Sequence, residues 1–110
     1  IYTAILMQES TYRLDSIRCE IHPTNKTIRI CSDYGIAQVN NYSINKLNLD
    51  RIRLLYDLEY SIDIGARILS WFYKTYSDSE PTDWWSRYNC GTGPIDKVCL
   101  KYKQLTLRWM

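Results

Sequence analysis

Two stretches decide the fold of this chain: Ile5-Leu6-Met7-Gln8-Glu9-Ser10 and Ser32-Asp33-Tyr34-Gly35-Ile36-Ala37-Gln38-Val39-Asn40. The first is an apolar helical turn that ends on a carboxylate. The second is rich in small and polar residues, which we expect to lie against that carboxylate. Because Glu9 follows four apolar residues, its side chain is predicted at the rim of the core, where lost hydration raises the pKa of a carboxyl. Such a group can serve as a general acid.

A third stretch, Tyr88-Asn89-Cys90-Gly91, completes an ordered set of motifs. With Glu9-Ser10 and Gly35-Ile36-Ala37-Gln38-Val39-Asn40, it resembles the signatures of the lysozyme-like lytic transglycosylases: Glu-Ser, Gly-Leu-Met-Gln-Ile-Asn and Tyr-Asn-Ala-Gly. The resemblance runs from about Ala4 to about Lys103. Glu-Ser alone carries no information, but three motifs in order are specific. The resemblance implies a lysozyme-like fold of the α+β class, mainly α, with a small β-hairpin or sheet, as one domain over residues 1–110.

The activity that the resemblance implies is cleavage of the β-1,4 bond between N-acetylmuramic acid and N-acetylglucosamine in peptidoglycan. Glu9 would act first as acid and then as base on the C6 hydroxyl, which closes a 1,6-anhydro ring. The alternative is a muramidase of lysozyme type, which cleaves the same bond with water. A third possibility is a glycan-binding module without activity, against which the intact Glu-Ser pair argues.

Asp33 is a departure from many lytic transglycosylases, which have no second carboxylate at this position. Animal-type lysozymes have an Asp there that stabilises the oxocarbenium-like transition state or acts as nucleophile. Some transglycosylases resembling those of conjugation and secretion machines also carry one, so Asp33 does not require a hydrolase. We expect a catalytic or electrostatic role, with the capping of a turn beside Gly35 as the alternative.

The resemblance also implies a set of substrate-binding residues: Ser32, Gln38, Asn40, Tyr88 and Asn89. Ser32 would form a hydrogen bond near the catalytic Glu, and Tyr88 would place its hydroxyl beside it. The amides of Gln38 and Asn40 would bind N-acetyl groups and hydroxyls of the sugar, while Asn89 would hold the local turn.

Composition limits the other possibilities. A net charge of +2 is too small to indicate a nucleic-acid partner, and no apolar run is long enough for a membrane span. We predict no cofactor and no metal site, since there is one His and the cysteine spacings are not those of a zinc site. Trp71, Trp84 and Trp85 are candidates for a glycan groove, although core packing is favoured for each.

Four cysteines fall into two local pairs, Cys19 with Cys31 and Cys90 with Cys99. An even count in a small domain favours disulfides in an oxidising compartment, whereas four buried thiols would indicate a reducing one. We therefore expect a periplasmic, extracellular or virion-associated protein. Its first residue, Ile1, suggests a processed product or a domain of a longer protein, serving an envelope-spanning machine or a phage particle.

The coarse pattern predicts a helix over 1–11, a hairpin of strands 16–22 and 27–31, and a loop over 40–43. Further helices are expected over 47–55, 58–76 and 95–107, the last with Val98 on its inner face, and a short one up to Tyr88. The hairpin register stays open. Pairing Ile21 with Ile28 keeps the isoleucines on one face of the hairpin. Pairing Cys19 with Cys31 shifts the register by one residue and sends Ile28 and Ile30 to the other face. A bulge near Cys31 could reconcile the two registers.

Overall fold

The computed structural model describes residues 1–110. The helices are α1 (Tyr2–Ser10), α2 (Asn41–Leu47), α3 (Arg51–Tyr56), α4 (Leu58–Tyr76), α5 (Arg87–Cys90) and α6 (Lys97–Leu107), with a 3-10 turn at Trp84–Ser86. The strands are β1 (Ile17–Ile21), β2 (Arg29–Tyr34) and β3 (Val39–Asn40), which form an antiparallel sheet in the order β1-β2-β3. The predicted α+β class, mainly helical with one small sheet, is confirmed.

Local chemistry explains where several helices begin and end. Helix α1 stops where Thr11 and Tyr12 take left-handed backbone angles, with φ of 51° and 61°. The loop expected over 40–43 is wrong, because the Asn40 side chain accepts a hydrogen bond from the Ser43 amide and so begins α2. Helix α4 has the predicted bounds, and none of the helices is long and apolar enough to cross a membrane.

The hairpin register follows the cysteines. Cys19 pairs with Cys31 and Ile21 with Arg29, so the register that would keep the isoleucines on one face is wrong. The ladder shifts between Cys19 and Arg18, which pairs with Asp33. Ser32 therefore has no counterpart on β1 and forms a bulge next to Cys31. The bulge does not reconcile the two registers, because Ile21 still pairs with Arg29 and not with Ile28.

By its internal contacts the chain divides into two compact units. The first unit comprises Ile1–Gln8 and Ala66–Met110. Its core is a cluster of Ile5, Leu69, Trp85 and Tyr102, against which Tyr2, Trp84 and Tyr88 pack. Trp85 is therefore a core residue, as favoured, whereas Val98 is exposed and does not belong to the inner face of α6.

The second unit comprises Glu9–Gly65 and contains the sheet. Its buried apolar residues come from the segment after β2 and from the two helices that follow it: Ile36, Ala37, Val39, Ile44 and Leu54. Each unit has its own disulfide. Cys19–Cys31 joins β1 to β2, and Cys90–Cys99 joins α5 to α6, so both predicted pairs are present in the structure.

Arg87 organises the end of the first unit, although the sequence did not single it out. The residue is 6% exposed, and two of its nitrogens donate to Glu80, at 2.7 Å to Oε1 and 2.6 Å to Oε2. A third nitrogen donates to the Gly91 and Gly93 carbonyls, at 3.0 Å and 2.6 Å. Such a two-pronged guanidinium–carboxylate pair fixes geometry as well as charge. Arg87 thus holds the loop that follows α5.

Replacing Glu80 with Gln tests this pair through the pH dependence of stability. The hydrogen bond from Arg87 holds the pKa of Glu80 below its ordinary value, against the opposing effect of desolvation. A carboxyl with a lowered folded-state pKa adds stability above its unfolded pKa, about 4.3 for Glu, that is lost as pH falls through the folded value. We therefore expect Glu80→Gln to cost about 2–3 kcal/mol at pH 7 and less at pH 3.

Urea unfolding at several pH values measures this difference. Asp78→Asn is the matched control, since Asp78 is an exposed carboxylate in the same loop. It should change stability little at either pH. An equal loss for Glu80→Gln at pH 7 and pH 3 would contradict the role of the ion pair.

Candidate active site

The Glu9-Ser10 motif lies in the last turn of α1. The Ser10 hydroxyl donates a hydrogen bond of 2.7 Å to the Ile36 carbonyl, and both residues are buried. This bond ties the end of α1 to the second motif. The neighbouring Glu9 side chain is only 4% exposed, so the predicted position at the rim of the core agrees with the structure.

The second motif forms a tight turn that only glycine can begin. Gly35 has φ of 83°, and a Cβ atom at this position would lie 2.1 Å from the Leu54 carbonyl oxygen. At the other end Gln38 has φ of 49°, and its side-chain nitrogen donates to the Gly35 carbonyl at 2.9 Å and to the Ser16 carbonyl at 3.0 Å. The amide nitrogen of Gln38 therefore braces the turn, and its contact with a sugar stays a prediction.

A row of polar side chains crosses the sheet at Asp33. Asp33 pairs with Arg18 on β1 and with Asn40 on β3, and residues directly opposite on antiparallel strands project from the same face. The bulge at Ser32 makes this row, because an unbroken ladder from the Cys19–Cys31 pair would place Ser32 opposite Arg18. The Ser32 hydroxyl donates to Asp33 Oδ2 at 3.0 Å. Ser32 thus holds the second carboxylate.

Arg18 brings the two candidate catalytic carboxylates together. Its Nη2 lies 3.3 Å from Glu9 Oε2, and its Nη1 lies 3.7 Å from Asp33 Oδ2. The Asp33 side chain is 18% exposed, against 45% for that of Arg18. The Arg18 side chain is therefore more exposed than either carboxylate that it contacts. Sequence reasoning missed Arg18, since its position opposite Asp33 depends on the hairpin register, which the sequence left open.

The remaining candidates have structural partners of their own. Asn40 is exposed and caps α2 through its side-chain oxygen, which accepts from the Ser43 amide. Its side-chain nitrogen is left for a ligand. Tyr88 packs against the core cluster of the first unit, and Asn89 is exposed on α5. No group of three or more His, Cys, Asp or Glu side chains is placed to hold a metal ion.

Comparison with known proteins identifies the relationship. The family model of the transglycosylase SLT domain matches residues 1–107. No curated protein and no solved structure gave a significant match. The matched span includes all three motifs and the whole Glu9, Arg18 and Asp33 cluster.

Replacing Gly35 with Ala tests the turn that carries the second motif. The left-handed φ alone costs a non-glycine residue about 1–3 kcal/mol, and the clash with the Leu54 carbonyl adds to it. We expect a loss of about 3 kcal/mol or more, with activity lost alongside, because the turn also receives the Ser10 hydrogen bond.

Two other glycines separate the causes. Gly91 has φ of 71° but open space around it, so Gly91→Ala shows the cost of backbone conformation alone. Gly93 has open space and no left-handed φ, so Gly93→Ala should be nearly neutral. Chemical unfolding of the three variants should rank the losses as Gly35, Gly91, Gly93. A Gly35→Ala protein as stable as Gly91→Ala would show that the close approach to Leu54 does not matter.

Proposed function

The chain belongs to the transglycosylase SLT domain family, and from this membership we propose that it cleaves the β-1,4 bond between N-acetylmuramic acid and N-acetylglucosamine with formation of a 1,6-anhydro product. The family membership makes it a lytic transglycosylase, a lyase that acts on peptidoglycan.

The observation that carries the proposal is the environment of Glu9. Its carboxyl group is withdrawn from solvent at the end of a helix that Ser10 fixes by a buried hydrogen bond. A second carboxylate, Asp33, lies on the other side of one shared guanidinium. A pair of carboxyl groups in different surroundings is the usual equipment for cleaving a glycosidic bond, with one group serving as acid.

The reaction assigned to Glu9 needs no nucleophile from the protein, because the C6 hydroxyl of the sugar is the nucleophile. The protonated Glu9 carboxyl gives its proton to the glycosidic oxygen as the bond from that oxygen to C1 of the muramic acid breaks. The N-acetylglucosamine leaves with a hydroxyl, and C1 carries the oxocarbenium character. Glu9, now a carboxylate, takes the proton from the C6 hydroxyl as the C6 oxygen bonds to C1. The ring closes, Glu9 is protonated again, and no water is consumed.

Asp33 is assigned an electrostatic role in this sequence. A carboxylate near the developing positive charge at C1 stabilises it without a covalent bond. The Ser32 hydroxyl supports this role by holding one oxygen of Asp33. The same placement is the observation that favours the second candidate, a muramidase in which Asp33 is essential and water attacks C1.

The other assignments extend from these two residues. Asn40, in the same row as Asp33, is proposed to contact the glycan through its amide, together with Ser32 and Gln38. For Tyr88 and Asn89 the proposal of substrate binding rests on their place in the third motif. Since the substrate is the cell wall and both disulfides are formed, we place the protein outside the cytoplasm, in the periplasm, the medium or a virion. It would there serve an envelope-spanning machine or a phage particle.

Replacing Glu9 with Gln tests the acid role. The amide keeps the shape of the side chain but has no acidic proton to give, and a general acid contributes about 10²–10⁴-fold to a rate. We expect clearing of a purified cell-wall suspension to fall below about 1% of wild type, with the circular-dichroism spectrum and melting curve retained.

Glu20→Gln is the matched control, because Glu20 is an exposed carboxylate on β1 of the same unit. It should clear the wall at the wild-type rate. If the Glu9→Gln protein is folded and keeps several per cent of the activity, Glu9 is not the acid.

The products separate the two candidate reactions. Mass spectrometry of the released muropeptides should find 1,6-anhydro ends, one water lighter than hydrolysis products. Asp33→Asn should slow release by about 100-fold, the lower end of what the loss of one preorganised electrostatic contact costs, and leave the product unchanged. Reducing ends in the wild-type digest, with Asp33→Asn as inactive as Glu9→Gln, would instead establish the muramidase.

A further inference from the structure

Arg18 is a cation in direct contact with a residue that the proposed reaction requires in its protonated form. Its guanidinium lies 3.3 Å from Glu9 Oε2, a distance at which an opposite charge favours the carboxylate over the neutral acid. The contact with Arg18 therefore favours the form of Glu9 that suits a base. The acid step needs the other form.

The register of the hairpin places Arg18 for this contact. Arg18 stands opposite Asp33 because β2 bulges at Ser32, and the Cys19–Cys31 disulfide pins the ladder one residue further along. Ser32 then fixes the oxygen of Asp33 that faces Arg18. Bulges beside active sites commonly serve to re-aim one side chain in this way.

The two charges near Glu9 act on it in opposite directions, because Arg18 favours its carboxylate form and Asp33 disfavours it. Helix α1 contributes Glu9 itself, β1 contributes Arg18 and β2 contributes Asp33, while β3 contributes the neutral Asn40. If Arg18 were absent, Glu9 would lose a favourable charge and would also face Asp33 without compensation. Both changes favour the protonated acid, since two neighbouring carboxylates resist double ionisation.

We propose that Arg18 is a positioning residue that holds Glu9 beside Asp33, favours the carboxylate form of Glu9 and thereby confines the acid step to lower pH. The inference rests on the proposed role of Glu9 as acid. The 45% exposure of the Arg18 side chain suits this role, because a guanidinium at the solvent boundary can yield to a glycan without leaving a buried cation behind.

The test is the pH–rate profile of wall clearing for Arg18→Gln. We expect its alkaline limb, where the protonated acid disappears, to lie about one pH unit above that of wild type. Arg18→Lys retains a positive charge, so its alkaline limb should move less.

Arg29→Gln is the control, since Arg29 is an exposed arginine on β2 and its replacement changes the net charge by the same amount on the same hairpin. Its profile should coincide with that of wild type.

A limb for Arg18→Gln that coincides with wild type or moves to lower pH overturns the inference, and so does an Arg18→Lys limb displaced as far as that of Arg18→Gln. Should Arg18→Gln fail to fold by circular dichroism, Arg18→Met carries the same comparison, because it keeps the aliphatic stem without the charge.

Mass spectrometry of the same digests keeps the two proposals distinguishable. Wild-type products without 1,6-anhydro ends count against the proposed function. Anhydro products together with an unmoved alkaline limb count against the role of Arg18 alone.

Discussion

The hydrogen bond from the Ser10 hydroxyl to the Ile36 carbonyl is the contact on which the candidate site depends. It joins the last turn of α1 to the turn that follows β2, and both partners are buried. Leaving a buried carbonyl without a donor costs about 1–3 kcal/mol. Glu9 is fixed because Ser10 is fixed, and Asp33 is placed by the strand that leads into the same turn. The Glu9-Ser10 motif thus also connects helix α1 to the turn after β2.

Backbone carbonyls satisfied by side chains recur at both motif-bearing turns. Gln38 donates to two carbonyls around the Gly35 turn, and Arg87 donates to two carbonyls after α5. Each turn departs from regular structure, so its carbonyls need donors from elsewhere. A polar residue in such a motif can be retained for this reason alone. Binding a sugar and supporting the turn are therefore separate roles. Gln38 supports the turn whether or not it also contacts a sugar.

The site sets opposing effects on one carboxyl group. Burial disfavours the charged form of Glu9, and the Arg18 guanidinium favours it. The hairpin supplies the cation, since Arg18 on β1 lies 3.3 Å from Glu9 Oε2. A residue that alternates between acid and base needs access to both forms. A cation at the solvent boundary permits this better than one sealed in the interior, because water can replace the carboxylate as its partner.

The sequence by itself determined helices α1, α4 and α6, the two strands of the hairpin, the two cysteine pairs and the ordered motifs that mark Glu9 as the candidate acid. Periodicity, turn residues and cysteine spacing are local signals, and these features depend on little else. The register of the hairpin was not determined, because the isoleucines favoured one pairing and the cysteines another. Only the tertiary structure decided it, since the disulfide fixes the ladder and the bulge at Ser32 absorbs the extra residue. Arg18 meets Glu9 and Asp33 as a result, a juxtaposition that depends on residues distant in sequence and that no local pattern records.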